Sequence, residues 1–563
     1  MDSLEKRIAR LYIFVLLALV VITLRLFWLQ VFHYSYFEAR ALGQHAVKEV
    51  ISAKRGEIFI REKERIIPVA TTKEGWLLAI DPREVEKPEE LYAALSGFLK
   101  LPLSQEEFTE KASKKNDPYE IIMHRVSQAD KQKIADAYMR GVVFSEESWR
   151  FYPAGDFASD VLGYVGADAE GKYGIERYFE ELLSGKSGLS IREETLGGRL
   201  LLFGRRLIEP EEDGRNITLT LDAGIQSYLE KVMRRLEEEY HAESAGGIVL
   251  DPKSGKIIAM VGVPSFDPNG YSKEKDIGVF KNPNVESLFE MGSVIKPLTM
   301  AAALDAGVVT RDTTYIDQGR LEIDGATIEN FDGKGRGQVP IQEILLQSLN
   351  TGAVFLMGEL GKEKFRSYMQ AYGLGEKTNI TLPGEVGGNL KNLQSTRDIE
   401  YATASFGQGI SMTPLEAARA LSSLANGGVL INPYIVEDQD KVEQKRILKE
   451  ETAREITRML VEVVDTKLAN GKGKIPGYAV AAKTGTAQIA NSAGRGYSQE
   501  FLHTFFGYGP AYDPEFLVFL FLERPRGVRY ASETLTEPFR AAMQYLFSYF
   551  EVPPDRVGGV TAE

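Results

Sequence analysis

The sequence contains no cysteine, few histidines and no excess of positive charge. Without cysteine, neither disulfides nor thiol chemistry can contribute to folding or activity. The histidines are scattered and form no H-E-x-x-H or other clustered ligand spacing, which argues against a zinc hydrolase, and we expect no metal and no other cofactor. The net charge of −13 argues against nucleic acid as a partner. The histidines are His33, His45, His124, His241 and His503.

The length and the composition indicate a globular protein of two or three domains. The chain has 563 residues, of which 44% are apolar and 26% are charged. Residues 11–31 form an apolar run whose one charged residue is Arg25, and a run of this length can cross the ~30 Å hydrocarbon core of a bilayer. A cleaved signal peptide is the alternative, but no small-residue cleavage site follows the run. We therefore predict an uncleaved signal anchor.

Basic residues set the expected orientation of this anchor. Lys6, Arg7 and Arg10 precede the apolar run, so the positive-inside rule keeps the N-terminus in the cytoplasm and puts the chain after about residue 32 outside the membrane. Arg25 lies near the outer end of the run. Its side chain can either extend to the interface or contact a partner helix within the membrane.

The rest of the chain divides at a turn-rich stretch, residues 213–216. The part before it shows mixed helix and strand signals without a catalytic motif, which predicts a mixed α/β pedestal; a spacer without a partner surface is the alternative. The part after it begins with a strand, an amphipathic helix and a hairpin and ends with strands and a helix. This order predicts an antiparallel sheet flanked by helices, with an all-helical second lobe, and the fold class is α+β. The predicted parts are a cytoplasmic tail 1–10, a transmembrane anchor 11–31, a pedestal 32–215, a second domain 216–550 and a C-terminal tail 551–563.

Several local patterns predict single elements. Ser104 and Glu107 fit a capping box, and residues 128–139 fit a helix. Asp222 is expected to cap a helix that has one apolar face. Residues 478–482 are expected to form a buried strand, and Lys483 is expected to lie at its exit.

The segment from Glu290 to Pro297 carries the strongest catalytic pattern. A glycine turn delivers Ser293 onto the start of an apolar helix predicted to run to Gly307, and the first turn of a helix favours developing negative charge. Lys296 follows three residues later, so its amine shares a face with the serine hydroxyl. Such a lysine can take the serine proton if burial or a second cation keeps it neutral. This is the logic of the S-x-x-K nucleophile.

The S-x-x-K spacing alone is weak evidence, because it recurs at Ser3 and Ser272 in charged segments. Two other patterns strengthen it. Ser348 and Asn350 form the one S-x-N of the sequence, before an apolar segment. The one K-T-G follows the predicted buried strand and continues with a threonine, in the order Lys483, Thr484, Gly485, Thr486. Taken singly, Ser348 could be a helix cap and Lys483 a strand-end charge, but together the three patterns favour an active site.

These motifs resemble the penicillin-binding protein and serine β-lactamase superfamily, and more closely the class B penicillin-binding proteins, over nearly the whole chain. The G-Q-G at residues 407–409 resembles a family segment that precedes a helix. The R-F-Y-P at 150–153 and the G-I-E-R at 174–177 resemble the family's pedestal. Two departures occur: Met291 stands where the family commonly has proline, and residues 55–58 lack the D-R-x-G that usually follows.

The resemblance implies a peptidoglycan D,D-transpeptidase. Ser293 would attack the carbonyl between the last two D-alanines of a stem pentapeptide, release D-alanine and leave an acyl-enzyme, which an amine of a neighbouring stem peptide then takes up. Lys296 is the candidate general base, and Ser348 would relay a proton to the leaving amine. Lys483 would disfavour protonation of Lys296 and attract the substrate carboxylate.

The resemblance also implies how the substrate is held. The backbone N–H groups of Ser293 and Thr486 would form the oxyanion hole. Thr484, Gly485 and Thr486 would bind the terminal carboxylate, and Asn350 would hold the peptide amide. β-Lactams are expected to acylate the same serine.

The implied setting is the bacterial plasma membrane, with a SEDS-type glycan polymerase, FtsW-like or RodA-like, as partner. Two other functions stay open. A D,D-carboxypeptidase or β-lactamase shares the acylation step and uses water for deacylation, although the long anchored pedestal argues against it. A non-catalytic β-lactam sensor or scaffold is disfavoured because the motif residues are intact. The sequence around residues 329–333 and 404–407 favours a role in division over elongation.

Overall fold

A computed structural model describes residues 2–34, 46–193, 206–437, 442–491 and 496–556. Parts of the predicted pedestal (35–45, which includes His45, and 194–205) and most of the predicted C-terminal tail (557–563) lie outside the described residues. The chain divides into two compact units, Met1–Gly56 with Ser184–Arg215, and Glu57–Leu183 with Asn216–Glu563. The boundaries at 10/11, 31/32, 215/216 and 550/551 stay predictions.

The first unit contains the apolar N-terminal helix and a small sheet. The helix covers Asp2–Phe27 and continues as a wider π-helical turn, Trp28–Phe32. Its segment Lys6–Phe32 has 27 residues and a mean hydropathy of 2.5, which by length and composition is enough to cross a membrane. The sheet has three antiparallel strands, in the spatial order Ala46–Ile51, Gly188–Glu193, Arg206–Glu209.

The N-terminal part of the second unit has its own apolar core. Its long strand, Arg65–Ile80, pairs antiparallel with Ile58–Glu62, Glu120–Val126 and Val142–Phe151. Three helices pack on this sheet around buried residues such as Leu78 and Phe108. They are Pro88–Phe98, Gln105–Ala112 and Gln128–Asp136.

Two local predictions for this part have different outcomes. The capping box is confirmed, because the Glu107 N–H donates to Ser104 Oγ at 3.3 Å and the Ser104 N–H donates to Glu107 Oε2 at 2.7 Å. The helix predicted over 128–139 ends at Asp136 instead. The next N–H groups bond to carbonyls three residues back, and Tyr138 has a φ of +50°, which ends the helix before Gly141.

A buried ion pair joins the two motifs that resemble the family's pedestal. Arg150 Nε donates to Glu176 Oε1 at 2.6 Å, and the side chains are 3% and 0% exposed. The Tyr152 hydroxyl donates to the same carboxylate at 3.2 Å. The short elements around this pair are Ser159–Leu162, Tyr164–Val165, Gly171–Lys172, Gly174–Tyr178 and Glu180–Ser184.

The larger part of the second unit begins as predicted with a strand, Ile217–Asp222, which pairs parallel with Ile58–Glu62. Helix α1 (Ala223–Tyr240) follows, and Asp222 Oδ1 accepts from the N–H groups of its first turn at 2.9 and 3.1 Å, so the predicted cap is confirmed. The predicted hairpin is confirmed as strands β1 (Ser244–Leu250) and β2 (Ile257–Val263).

Helices dominate the chain between this hairpin and the C-terminal strands. Four of them are labelled α2 (Lys296–Asp305), α3 (Asn350–Leu360), α4 (Pro414–Ala425) and α5 (Glu450–Glu462). The others are Pro268–Lys273, Ile277–Phe280, Pro283–Glu286, Gly292–Ile295, Gln342–Leu346, Lys362–Ala371, Lys391–Gln394, Asp398–Ala404, Val463–Lys467 and Leu468–Gly471.

The prediction of an all-helical lobe needs one correction, because this region also carries three two-stranded ribbons. Their strands are too short to give a period-2 signal in the sequence. They are Thr314–Asp317 with Gly337–Pro340, Arg320–Ile323 with Ala326–Glu329, and Val429–Ile431 with Gln444–Arg446.

The sheet is completed by β3 (Ala481–Ala490), β4 (Tyr497–Gly509) and β5 (Phe516–Glu523). Its order is β2-β1-β5-β4-β3 and every pair is antiparallel, as predicted. A short helix, α6 (Ala531–Thr534), leads to the predicted closing helix α7 (Thr536–Tyr549). Helices α1 and α7 lie side by side, since the rings of Tyr228 and Tyr545 stack with 4.1 Å between centroids.

The strand predicted over 478–482 is displaced along the chain. Strand β3 begins at Ala481, so Lys483 lies within it rather than at its exit. The preceding residues are bonded elsewhere: the Ala479 N–H donates to Asp555 Oδ1 at 2.7 Å, and the Tyr478 hydroxyl donates to the Val552 carbonyl at 2.7 Å.

Candidate active site

Ser293 lies on a 3₁₀ turn, Gly292–Ile295, that leads directly into α2. The prediction placed it within the first turn of the α-helix, but that helix begins at Lys296. Pro297 fits there, because the first turn of a helix tolerates a residue without an N–H. Every residue from 291 to 300 is buried except Ser293, which is half-buried. The serine is therefore the one position of this segment that a substrate can reach.

Two glycines bring the Ser293 turn against the segment 407–409. Gly292 has a φ of +63° and Gly407 a φ of +81°, a region that favours glycine. The Gly292 N–H donates to the Gly407 carbonyl at 3.0 Å. A Cβ on Gly407 would lie only 2.3 Å from the Gly292 carbonyl oxygen. The first glycine of the G-Q-G pattern thus permits this close approach.

Strand β3 passes beside the same turn. The Thr504 hydroxyl, on β4, donates to the Met291 carbonyl at 2.9 Å. Thr504 Oγ1 also lies 3.3 Å from the Gly485 carbonyl oxygen. Gly485 leaves the necessary space, since a Cβ there would lie 2.3 Å from Thr504 Oγ1 and 2.7 Å from the Met291 oxygen. The sequence did not point to Thr504, because only the strand register Gly485↔Thr504 connects it to the K-T-G motif.

The side chains of Lys296, Ser348 and Lys483 meet at one point. Lys483 Nζ donates to Ser348 Oγ at 3.0 Å and to the Thr484 carbonyl at 3.0 Å. Lys296 Nζ lies 3.3 Å from Ser348 Oγ and donates to the Ser348 carbonyl at 2.6 Å. The Ser348 hydroxyl therefore lies between two amines.

Ser348 is not a helix cap. Its φ is +55°, an uncommon conformation for serine, and α3 begins two residues later with Leu349 at the N-cap position. Asn350 contributes the next contact: its Oδ1 accepts from Lys296 Nζ at 2.8 Å, and its Nδ2 donates to the Glu329 carbonyl at 2.8 Å. An amide nitrogen carries two hydrogens, so the second has no partner among the described residues.

Both lysine amines are buried without an opposite charge. Lys296 is 0% and Lys483 is 2% exposed, and every acceptor that the structure gives them is a neutral oxygen. Burial lowers the pKa of Lys296 well below its usual value, and the charge of Lys483 lowers it further. Burial lowers the pKa of Lys483 to about 7. Lys483 therefore titrates near neutral pH, next to an amine that loses its proton readily.

The threonines of the K-T-G-T motif are more accessible than the residues between them. Thr484 and Thr486 are half-buried, whereas Lys483 and Gly485 are buried, as expected for a strand with alternating faces. Thr486 Oγ1 accepts from the Ala531 N–H at 3.0 Å. This bond leaves the hydroxyl proton of Thr486 available for donation.

Hydrogen bonds connect four of the predicted site residues, Lys296, Ser348, Asn350 and Lys483, and one expected contact is missing. In the part of the chain that the structure describes, the Ser293 hydroxyl has no hydrogen-bond partner, and Lys296 bonds to Ser348 and Asn350 instead. The expected Ser293–Lys296 hydrogen bond is thus not formed in this state.

Two family models match the chain. The penicillin binding protein transpeptidase domain matches residues 245–544, and the penicillin-binding protein dimerisation domain matches residues 50–219. The first of these covers more than half of the chain.

Individual relatives agree with these models. Stage V sporulation protein D of Bacillus subtilis is 31% identical over 555 residues, which are 95% of this chain and 84% of that protein. The probable peptidoglycan D,D-transpeptidase PenA of Neisseria gonorrhoeae is 28% identical over 551 residues, 96% of this chain and 93% of its own. The crystal structure of penicillin binding protein 2X from Streptococcus thermophilus has the same fold, with a TM-score of 0.73 at 22% identity over 90% of this chain and 81% of that one. The chain belongs to the class B penicillin-binding proteins, the peptidoglycan transpeptidases of cell wall synthesis.

Proposed function

We propose that this transpeptidase works through a serine acyl-enzyme with Ser293 as the nucleophile. The donor substrate is a stem peptide that ends in D-alanyl-D-alanine. The observation that carries the proposal is the state of Lys296, a buried amine without an opposite charge that lies one helical turn from the accessible serine. Burial lowers the pKa of such an amine and so favours the neutral form, which can act as a base.

The contacts of Lys296 support this role. A neutral amine has two N–H groups and one lone pair. The Ser348 carbonyl at 2.6 Å and Asn350 Oδ1 at 2.8 Å accept the two N–H groups, so the lone pair remains for a hydroxyl proton. Catalytic hydrogen bonds often tighten only in the substrate complex. A rotation of the Ser293 hydroxyl toward Lys296 then supplies the contact that is absent here.

Ser348 suits the return of this proton. Ser293 Oγ bonds to the substrate carbonyl carbon while Lys296 takes the hydroxyl proton. The C–N bond then breaks, and the leaving D-alanine amine takes a proton from Ser348, which regains one from Lys296. The proton of Ser293 thus ends on D-alanine, and the site returns to its starting charge. The position of Ser348 Oγ, 3.3 Å from Lys296 Nζ, supports this route.

The K-T-G-T strand is the proposed binding edge. Lys483 attracts the terminal carboxylate of the substrate, and the hydroxyls of Thr484 and Thr486 donate to it. The hydrogen bond that Thr486 Oγ1 accepts from the Ala531 N–H supports this role, because it leaves the threonine hydroxyl proton free to donate. Gly485 lets the strand approach the nucleophile, and the backbone N–H groups of Ser293 and Thr486 are the proposed oxyanion hole.

The second half of the reaction decides the product. An amine of another stem peptide attacks the acyl carbonyl and gives a proton to Lys296. The bond to Ser293 then breaks, Ser293 takes that proton from Lys296, and a cross-link forms. With water in place of the amine, the same site is a D,D-carboxypeptidase. With a β-lactam, Ser293 attacks the amide carbonyl of the ring, the ring opens, and a long-lived acyl-enzyme remains.

Intact-protein mass spectrometry after incubation with benzylpenicillin, followed by peptide mapping, tests the nucleophile. We expect one adduct on Ser293, and none in Ser293→Ala, because removal of the hydroxyl removes the bond that forms. An adduct in that variant contradicts the assignment. With a stem-peptide substrate, dimeric muropeptide indicates a transferase and release of D-alanine without dimers indicates a carboxypeptidase.

We also propose a membrane setting. The helix Lys6–Phe32 anchors the protein in the plasma membrane as a single span, with its N-terminus in the cytoplasm and the catalytic domain outside; the basic residues at its start support this orientation. The partner is a SEDS-type glycan polymerase, and the favoured role is division. The family matches to 50–219 and 245–544 support the division into pedestal and transpeptidase domains.

A further inference from the structure

A cluster of buried polar residues lies directly behind the Ser348–Asn350 segment. Asp317, Asn330 and Thr351 are only 2%, 3% and 3% exposed. Asp317 ends one ribbon strand, Asn330 follows the strand Ala326–Glu329, and Thr351 is the second residue of α3. Burying polar groups is costly unless all their hydrogen bonds are satisfied, so their close arrangement requires a reason.

Asn330 satisfies the first turn of α3 from outside the helix. Its Oδ1 accepts from the Asn350 N–H at 2.9 Å and from the Thr351 N–H at 3.3 Å, and it lies 3.1 Å from Thr351 Oγ1. The N-cap residue, Leu349, has no side chain that could do this. A residue from a neighbouring ribbon therefore supplies the cap that the helix lacks.

Asp317 holds Asn330 in this position. It accepts from Asn330 Nδ2 at 2.9 and 3.2 Å and from Thr351 Oγ1 at 2.7 Å. The backbone N–H groups of Gly319 and Arg336 also donate to it, each at 3.0 Å. The orientation of the Asn330 amide is fixed, because one end requires a donor and the other an acceptor.

The segment that this cluster holds needs support. Ser348 has an unfavourable φ of +55°, and the next turn carries the Asn350 side chain that bonds to Lys296. The Glu329 carbonyl, one residue before Asn330, accepts from Asn350 Nδ2 at 2.8 Å. The ribbon end thus bonds both the backbone and the side chain of Asn350.

We propose that Asn330, together with Asp317 and Thr351, is a positioning residue for acylation. The cluster fixes the Ser348–Asn350 segment so that Ser348 Oγ and Asn350 Oδ1 reach the Lys296 amine. This rests on the proposed function of Ser348 and Lys296. It assigns a role to the Glu-Asn-Phe-Asp-Gly stretch at 329–333, which lies outside the three catalytic motifs.

A purely structural cap would lower stability and leave the chemistry of the folded protein unchanged. A positioning role lowers the acylation rate constant and leaves the noncovalent affinity for a β-lactam nearly constant, because Ser348 and Lys296 act in the bond-forming step. It also changes the pH profile. If the Ser348 carbonyl and Asn350 Oδ1 move away from Lys296, the hydrogen bonds that favour its charged form are lost. The pKa of Lys296 then falls, and the acid limb of the acylation rate profile moves to lower pH.

The test uses Thr351→Val, which removes the hydroxyl at similar volume, and Thr351→Ser, which retains it. Asn330→Ser is a second, independent change, and Thr457→Val is the matched control. Thr457 is also buried, and its hydroxyl bonds to the Ala453 carbonyl and the Tyr508 hydroxyl at 2.9 Å each, away from the cluster. The full chain is labelled with a fluorescent penicillin in stopped-flow experiments across pH, and thermal unfolding is recorded in parallel.

We expect Thr351→Val and Asn330→Ser to acylate on the order of 100-fold more slowly, the effect of a displacement of about 1 Å, with a displaced acid limb. Thr351→Ser should remain within a few-fold of wild type, and Thr457→Val should acylate normally. A wild-type rate constant and pH profile in either folded variant overturns the proposal. So does unfolding of both variants while Thr457→Val stays folded, since the cluster is then only structural. Failure of the wild type itself to acylate contradicts the proposed function instead.

Discussion

At the scale of single residues, the proposed chemistry depends on two neighbouring buried lysines, Lys296 and Lys483. Both bond to the Ser348 hydroxyl, so two positive charges would repel each other across one oxygen atom. The structure avoids this by burying both amines and giving them only neutral acceptors. Burial lowers the pKa of Lys483 to about 7, and burial together with the charge of Lys483 lowers the pKa of Lys296.

This arrangement predicts a bell-shaped pH dependence for the second-order acylation constant. Acylation requires Lys296 neutral and Lys483 charged, so the constant rises as Lys296 loses its proton and falls as Lys483 loses its proton above about pH 7. In Lys483→Arg the cation persists at all accessible pH values, so we expect a lower maximum without the alkaline fall. Lys472→Arg, at an exposed site, is the control. An unchanged alkaline limb in Lys483→Arg would assign that limb to another group.

At the scale of elements, the site depends on how closely strand β3 approaches the Ser293 turn. Two carbonyls, those of Met291 and Gly485, meet the single hydroxyl of Thr504. The contact exists only because Gly485 has no side chain on that face. The contact thereby fixes the distance between strand β3, the proposed substrate-binding edge, and the turn that carries Ser293.

Gly485→Ala is expected to increase the distance between strand β3 and the Ser293 turn. The new Cβ would lie 2.3 Å from Thr504 Oγ1 and 2.7 Å from the Met291 oxygen. Overpacking of this kind costs about 1–3 kcal/mol of unfolding free energy. We expect a loss of acylation rate on the order of 100-fold, because β3 must move away from Ser293. Denaturant unfolding and penicillin labelling measure the two effects.

Gly358→Ala provides the contrast. Gly358 lies in α3 and is exposed, and a Cβ there would meet no described atom of another segment within 4 Å. Its replacement should therefore be neutral or stabilise the protein by up to ~1 kcal/mol, because alanine favours a helix interior. Wild-type acylation in Gly485→Ala would show that the strand can shift without consequence for Ser293.

The sequence predicted what is encoded locally. The capping box at Ser104, the cap at Asp222 and the motifs at Ser293 and Lys483 each depend on residues a few positions apart. Thr504 and Asn330 were missed because their roles arise from pairing between distant segments. The exit from β3 was placed too early because Thr and Gly after Lys483 resemble a strand end, whereas here the glycine permits a close approach.

At the scale of the whole molecule, the apolar run at residues 11–31 contains one charged residue, Arg25, whose role can be tested. The Arg25 guanidinium lies 4.4 Å from the centroid of the Trp28 ring, at the end of the helix where an interfacial pair is expected. Residues on this part of the helix are exposed in the isolated chain. They are therefore accessible to a partner helix.

We expect Arg25→Leu to insert normally and to co-purify less with the proposed SEDS polymerase. The change removes the only charge that residues 11–31 could offer to a partner helix and keeps the run apolar. Val20→Ala, on a largely opposite side of the helix, is the control. Measurement is by membrane fractionation and pull-down from detergent. Equal recovery of the polymerase with both variants would leave interfacial anchoring as the role of Arg25.

The strand order of the main sheet determines the stage of synthesis and folding at which the site is complete. Strand β1 pairs with β5, residue Ser244 opposite Glu523, although nearly the whole catalytic domain separates them in the chain. Contacts between such distant residues form late and slowly in folding. A chain still under synthesis therefore contains Ser293 before it contains strand β3 and Lys483. In the proposed mechanism, activity can begin only once the C-terminal strands have folded onto the rest of the domain.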